Sequence, residues 1–382
     1  MNIIGIIIET NPFHNGHKYF IDEIKRKYKP DVLIAITSTS FTMRGEISVI
    51  NKFDKTLALQ KAGVNIVLEF PFILSTQSSD YFAANALTIL NTIGVNHIIC
   101  GSESANISDL KLFFNLENTE KFKNIFKDKI KEYKSYKTTF EETLNNLNID
   151  KDLIDLFNKP NFTLAYQYYK AIKNNYPHIK ISLIKRTNNY DDENLNQKIV
   201  SAKAIRYARL NNIDYHEYLP FEQKLIDLNT AYDILLTLIN FSCLMNNDFS
   251  NTINNEGILN YIIKNHKLYN SYDQLINALS NKRYSKSRIN RTLLYMLLNV
   301  KEFYHNEKYI RLLGTDAVGL KYINNLDKNI KNLIFSSVKE LKDNQICYNI
   351  LEIELQATKL YSLITNNPDL LLKEYQLPIR KD

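Results

Sequence analysis

The segment of this 382-residue chain best suited to chemistry is His14-Asn15-Gly16-His17. Two imidazoles at this spacing fall on one side of a helical turn, and the glycine lets backbone approach a ligand closely. Directly upstream, Ile3–Ile8 is an apolar run broken only by Gly5, and Pro12 favours a turn between the two segments. A buried strand that ends in a turn and opens a helix delivers both histidines to the carboxyl edge of a sheet. Ligands of doubly wound folds bind at that edge. The first amides of the helix add donors with partial positive charge. Such a site suits phosphate oxygens, most of all when charge builds on an α-phosphate under attack. With 7 His and 9 Gly in the chain, about 0.003 copies of H-x-G-H are expected by chance. The plain alternative is a helix-capping turn with two incidental histidines. A zinc pair would need a third ligand, and none of zinc type stands nearby.

A second element should complete such a site. Lys185-Arg186 is followed by a polar loop and then by Ser201-Ala202-Lys203-Ala204-Ile205-Arg206. This reads as a helix start, with Ser201 as cap, Ile205 inward and Arg206 outward. Its amides and the guanidinium can hold the β- and γ-phosphates of a nucleotide. Taken alone, the string also fits any capped helix.

The elements that must position these groups can be read from periodicity. Ile3–Glu9, Val32–Thr37, Ile66–Glu69, His97–Cys100 and Ile179–Leu183 are nearly continuous apolar runs, as strands buried on both faces of a parallel sheet should be. Helical patterns lie between them over Lys18–Tyr28, Phe53–Ala62 and Ala83–Leu90, the last two followed by Gly63 and Gly94. The alternation predicts an α/β fold with a Rossmann-like doubly wound parallel sheet. From about Glu217 no further strand alternates with the helices. Ala231–Phe241, Gly257–Ile263, Tyr272–Ala278 and Arg288–Val300 read as helices. The expected division is therefore a doubly wound, phosphate-binding type of domain over residues 1–216 and a mostly helical domain over 217–382. The charged tail Pro368–Asp382 is expected to be partly loose.

Composition narrows the class. Apolar residues make up 45% and charged residues 23%, which fits a globular chain and excludes a wholly disordered one. No run approaches the ~20 apolar residues of a membrane span, and the N-terminal run lacks the flanks of a signal peptide. Cys100, Cys243 and Cys347 are scattered and form no C-x-x-C, which suits a reducing cytoplasm. A net charge of +7 permits an anionic partner. Lys121–Lys137 carries Phe122, Ile125, Phe126, Ile130 and Tyr133 on one helical face. It reads either as a solvated face over an apolar stripe or as a nucleic-acid contact. Lys282, Arg283, Lys286, Arg288 and Arg291 surround Tyr284, a composition suited equally to single-stranded RNA and to a solvated surface. Cys100 is expected in the core. Arg311 is either an internal ion pair or a phosphate contact, and Glu103 either caps a helix or touches a nucleotide.

The His-x-Gly-His turn with S-x-x-x-I-R resembles the nucleotidyltransferases with a HIGH motif. More closely, the chain resembles the bacterial tRNA(Met) cytidine acetate ligase family. The matching segments are Glu9–His17, Met43–Glu46, Gly63–Pro71, Gly101–Glu103, Lys159–Asn161, Tyr166–Tyr168, Ser201–Arg206, Lys282–Tyr284 and Tyr309–Gly314. Thr10, Thr39, Ser40, Ile47 and Lys203 depart from the family's usual residues. The resemblance implies activation of acetate by ATP as acetyl-adenylate, with pyrophosphate released, and acetylation of N4 of the wobble cytidine of elongator tRNA(Met). It implies nucleotide-binding positions at Ile7, Ile8, Glu9, Thr10, Asn11, Pro12, Phe13, His14, Asn15, Gly16, His17, Lys18, Tyr19, Phe20, Gly101, Asn161 and Arg186. Ser201 joins them as the helix cap, and His14, His17 and Arg206 are the expected catalytic groups, supplying cationic stabilisation of the phosphates. Magnesium is expected with the ATP, without protein ligands that the sequence fixes. No membrane or protein partner is expected. The competing reading is a small-molecule adenylyl- or cytidylyltransferase with the same site and no RNA; a scaffold that kept the fold without turnover is a third.

Overall fold

The computed structural model describes all residues except 134–135, 187–194, 196–198, 246–248, 250, 338–340, 342–343 and 382. Among the described residues eight strands form a sheet: β1 Ile3–Ile8, β2 Val32–Ser38, β3 Ile66–Phe70, β4 His97–Ser102, β5 Lys180–Lys185, β6 Ile310–Asp316, β7 Ile334–Phe335 and β8 Ile379–Lys381. The order is β5-β4-β1-β2-β3-β6-β7, with β8 also paired to β6. The first five strands are parallel, in register from Ile3 opposite Val32 to Ile8 opposite Thr37 in the central pair. Chain order reverses between β1 and β4, so the crevice at their carboxyl ends is the topological switch point.

The side chains of β1 and β2 divide by parity, as a strand covered on both faces requires. Ile3, Val32, Ile34 and Ile36 enter the larger apolar cluster, while Ile4, Ile6, Ile8, Leu33 and Ala35 enter a smaller one on the opposite face. That smaller cluster is covered by Ile21 and Ile24 from helix Asn15–Tyr28 and by Ala58 and Leu59 from helix Lys52–Lys61. The larger cluster also takes in Leu235, Ile289, Leu293, Ile350 and Tyr361. The later helices therefore pack onto the same sheet face.

The helical reading after residue 217 needs correction at three places. β6 lies antiparallel to β3, with Leu68 opposite Leu312, and β7 and β8 pair with β6. Its partner is more than 240 residues away in sequence, so no local pattern announced it. The tail is not loose over its described length: Asp369–Lys373 is helical, Glu374 is buried and Ile379–Lys381 is β8. Lys121–Lys137 divides into helices Glu120–Tyr133 and Tyr136–Asn146, with positions 134–135 outside the described residues. The polar loop after Arg186 also lies outside them, apart from Leu195, Ile199 and Val200. Among the described residues no helix is long and apolar enough to cross a membrane.

Candidate active site

β1 ends at Ile8, and the chain turns through Glu9–Phe13 into helix Asn15–Tyr28. Thr10 sits in the left-handed region at φ +46, a conformation that a β-branched residue adopts only where its surroundings hold it there. His14 is the helix cap. Its Nδ1 accepts the Gly16 amide at 3.0 Å, and Nδ1 of His17 accepts the His14 amide at 3.2 Å. Each ring thus uses Nδ1 as an acceptor, which places the proton of the neutral imidazole on Nε2. Burial, then the other ring and Arg186 and Arg206, holds His14 well below its usual range. Burial and Arg186 bring His17 down to about 3. The histidines are therefore neutral Nε2–H donors, not the cations that the sequence suggested. Gly16, which lines the cavity, has a further use. A Cβ there would stand 2.7 Å from Cε1 of His14, so the glycine makes room for the imidazole.

A cavity of about 210 Å³ opens at this edge. Of the expected nucleotide-binding stretch, Ile7, Ile8, Glu9, Thr10, Asn11, His14, Gly16, His17, Tyr19 and Phe20 line it. Pro12, Phe13, Asn15 and Lys18 do not. Phe13 is fully buried against Phe221, Asn15 donates to the carbonyl of Glu217, and Lys18 pairs with Asp22. Gly101, Asn161, Arg186, Ser201 and Arg206 all line the cavity.

The last four of these are held by identifiable contacts. Ser201 caps helix Ala202–Leu210, its Oγ accepting the Ala204 amide at 2.9 Å. Ile205 is buried as expected, but Arg206 does not point outward. Its Nη1 donates to the carbonyl of Asn11 at 2.7 Å, which lies past the end of β1 and has no strand partner. Glu46 is 3.8 Å from its Nη2. Glu103 proves to be a helix cap: its carboxylate accepts the amide of Phe162 and the side-chain amide of Asn161 at the start of helix Pro160–Asn175. Asn161 Oδ1 in turn accepts from Arg186 Nη1 at 3.4 Å.

The far wall was not legible as a site from spacing. Thr42, Met43, Arg44 and Glu46 line the cavity on a turn that Gly45 closes at φ +75. A Cβ on Gly45 would meet the backbone of Arg291 at 2.7 Å, so the turn is seated on helix Lys286–Leu297. Arg291 Nη1 donates to the Met43 carbonyl at 3.4 Å. Tyr168 is buried and lines the cavity, and among the described residues its hydroxyl has no hydrogen-bond partner, as is also true of the Thr10 hydroxyl. Tyr168 lies two helical turns beyond Asn161, a spacing that places both on one helix face, and it falls in the matching segment Tyr166–Tyr168. Cys100 is buried, its thiol pushed up to about 12 by burial, and it forms part of the wall.

The basic segment at 282–291 is more divided than it looked. Tyr284 is buried between Arg283 and Arg288, and Arg288 pairs with Glu256 at 3.0 Å. Arg291 is committed to the Met43 turn. Lys282, Arg283 and Lys286 are the exposed members. Arg311 is internal, paired with Glu69 at 3.1 Å and Glu374 at 2.8 Å.

A doubly wound sheet with an HxGH turn at its switch point defines a nucleotidyltransferase, and a family model described as HIGH Nucleotidyl Transferase matches residues 1–374. The chain is 32% identical to the tRNA(Met) cytidine acetate ligase of Oceanobacillus iheyensis, over 94% of each protein. It is also 32% identical to the one of Clostridium perfringens, over 95% of this chain and 96% of the other. The crystal structure of apo Thermotoga maritima TmcAL superposes with a TM-score of 0.86 at 25% identity, covering 100% of both chains. The form of that protein bound with alpha-thio ATP gives 0.83 at 23% identity, again over 100% of both. The chain belongs to the tRNA(Met) cytidine acetate ligase family within the HIGH nucleotidyltransferases.

Proposed function

We propose that the protein uses ATP to activate acetate and transfers the acetyl group to N4 of the wobble cytidine of elongator tRNA(Met), in the cytoplasm. The observation that carries this reading is the convergence of His14, His17, Arg186, Arg206 and the Ser201-capped helix on one cavity at the switch point. Acetate is a poor acyl donor until its carboxylate has displaced pyrophosphate from the α-phosphate of ATP. That step demands in-line positioning and donors aimed at the phosphate oxygens. The two Nε2–H groups and the guanidinium of Arg206 are such donors, fixed before the substrate arrives. Asn161 and Arg186 border the side of the cavity next to β4, where the nucleoside would lie. Magnesium enters with the triphosphate as MgATP; among the described residues no group of three His, Cys, Asp or Glu stands ready to hold a metal. The exposed Lys282, Arg283 and Lys286 supply charge for the tRNA backbone.

Incubation with α-labelled ATP, acetate and total tRNA tests the reading. AMP should appear in step with N4-acetylcytidine, and an oxygen label in acetate should reach AMP. ADP as the stoichiometric product, or full activity with acetyl-CoA and no ATP, would overturn it.

A further inference from the structure

The polar groups that line the cavity are mainly donors and cations; besides Glu46, which faces Arg206, a second carboxylate, Glu9, stands among them at the end of β1. A carboxylate is the wrong group to hold a phosphate. Its Oε1 accepts the Met43 amide at 2.8 Å, and among the described residues no hydrogen bond reaches Oε2. One oxygen thus fixes the side chain while the other remains an open acceptor. Glu9 also sits at a seam: the phosphate donors His14 and His17 lie on its own turn, and the Met43–Glu46 turn lies on the other side. That second turn rests on helix Lys286–Leu297, beside the exposed Lys282, Arg283 and Lys286. Met43 thus links Glu9, through its amide, to Arg291 of that helix, through its carbonyl.

We infer that Glu9 is the general base of the acetyl-transfer half-reaction, taking the proton from N4 of the incoming cytosine. The inference rests on the proposed ligase function. The N4 lone pair is delocalised into the ring, so the amine is a weak nucleophile. As it forms the C–N bond to the acetyl carbonyl carbon, the bond from that carbon to the phosphate oxygen breaks. AMP leaves with the electron pair, and the N4 proton moves to Oε2 and then to solvent. Burial, opposed by the Met43 amide and by Lys55, raises the proton affinity of Glu9, with Glu46 adding to it and Arg44 opposing it. The Tyr168 hydroxyl also faces it and stays protonated through burial. A carboxylate so placed is a better base than an exposed one.

The test separates the two half-reactions. Transfer is followed in single turnover from chemically prepared acetyl-adenylate to tRNA. Adenylate formation is followed by acetate-dependent exchange of labelled pyrophosphate into ATP. Gln retains an oxygen for the Met43 amide, so Glu9→Gln keeps the local fold while removing the base. It should slow transfer by roughly 10²–10⁴-fold and exchange by a much smaller factor. Wild-type transfer should fall as pH drops through the raised pKa of Glu9, and the variant should lose that acid limb. Glu9→Asp should recover part of the rate and the limb. Equal losses in both half-reactions, or retention of the acid limb in Glu9→Gln, would overturn the assignment. The ligase reading is judged separately, by whether the unaltered protein performs acetate-dependent exchange.

Discussion

Ile205-Arg206 and Ile310-Arg311 are one dipeptide in two settings. Both isoleucines are fully buried, yet the arginines have opposite fates. Arg206 leaves the second turn of a helix, holds one carbonyl and faces the cavity. Arg311 leaves strand β6 into a closed cluster. There its Nη1 meets Glu69 and Glu374, while Lys52 Nζ contacts Glu69 at 2.6 Å, Glu374 at 2.6 Å and Glu354 at 3.0 Å. Tyr309 and Thr358 donate to the same carboxylates. Cations whose charge is met by internal carboxylates serve the fold. Those whose partners are a backbone carbonyl and a loosely placed glutamate retain capacity for a ligand. A buried charge is tolerated only with such partners, because the interior does not replace the lost hydration.

The largest expected effect breaks the structural member of the pair. Arg311→Ala should cost about 3–5 kcal/mol of stability by leaving Glu69 and Glu374 short of a partner. Equilibrium urea unfolding reads this directly, and a change under about 1 kcal/mol would reduce the cluster to a bystander. Arg206→Ala should do the converse. Acetate-dependent pyrophosphate exchange should fall by roughly 10²-fold, as for a lost transition-state donor, while the urea midpoint stays close to that of the parent protein.

His14→Ala and His17→Ala should each lower exchange by roughly 10²-fold. Gly16→Ala provides a sharper version, because its methyl group would displace the His14 ring without removing it. Its rate should fall between those of the parent and His14→Ala. A parent-like rate would show that the ring position is immaterial.

A smaller effect is expected at the surface. Replacing Lys282, Arg283 and Lys286 by Gln should weaken tRNA binding several-fold. The salt slope of binding should flatten by about one for each phosphate that is no longer neutralised. Binding unchanged across salt concentrations would assign these three side chains to solvent alone.

The smallest effect concerns acid. His17 is held at about 3 in the folded protein by burial and Arg186, against 6.5 for the free side chain. Between these values the unfolded chain binds a proton that the folded one does not, so stability falls as pH falls. From pH 6.5 to 5.5 this should amount to about 1 kcal/mol at most, and His17→Asn should remove it. Stability measured at the two pH values in both proteins checks the sign.

By itself the sequence determined the five parallel strands, the helices that join the first four of them and the turn that carries both histidines. All of these are local: a run buried on both faces, a helix period and a capping residue are written within a few residues of one another. The Ser201 cap and the inward Ile205 were legible for the same reason. Tertiary structure alone decided which arginine serves the site, since an Ile-Arg pair reads alike wherever it occurs and its partners lie at Asn11 in one case and Glu69 and Glu374 in the other. It also decided that β6 joins β3, that the Met43–Glu46 turn closes the cavity against Arg291, and that the histidines are neutral. Each of these depends on which distant groups come within a few ångströms and on how much water they exclude. Local composition does not encode either quantity; the packing of the whole chain sets both.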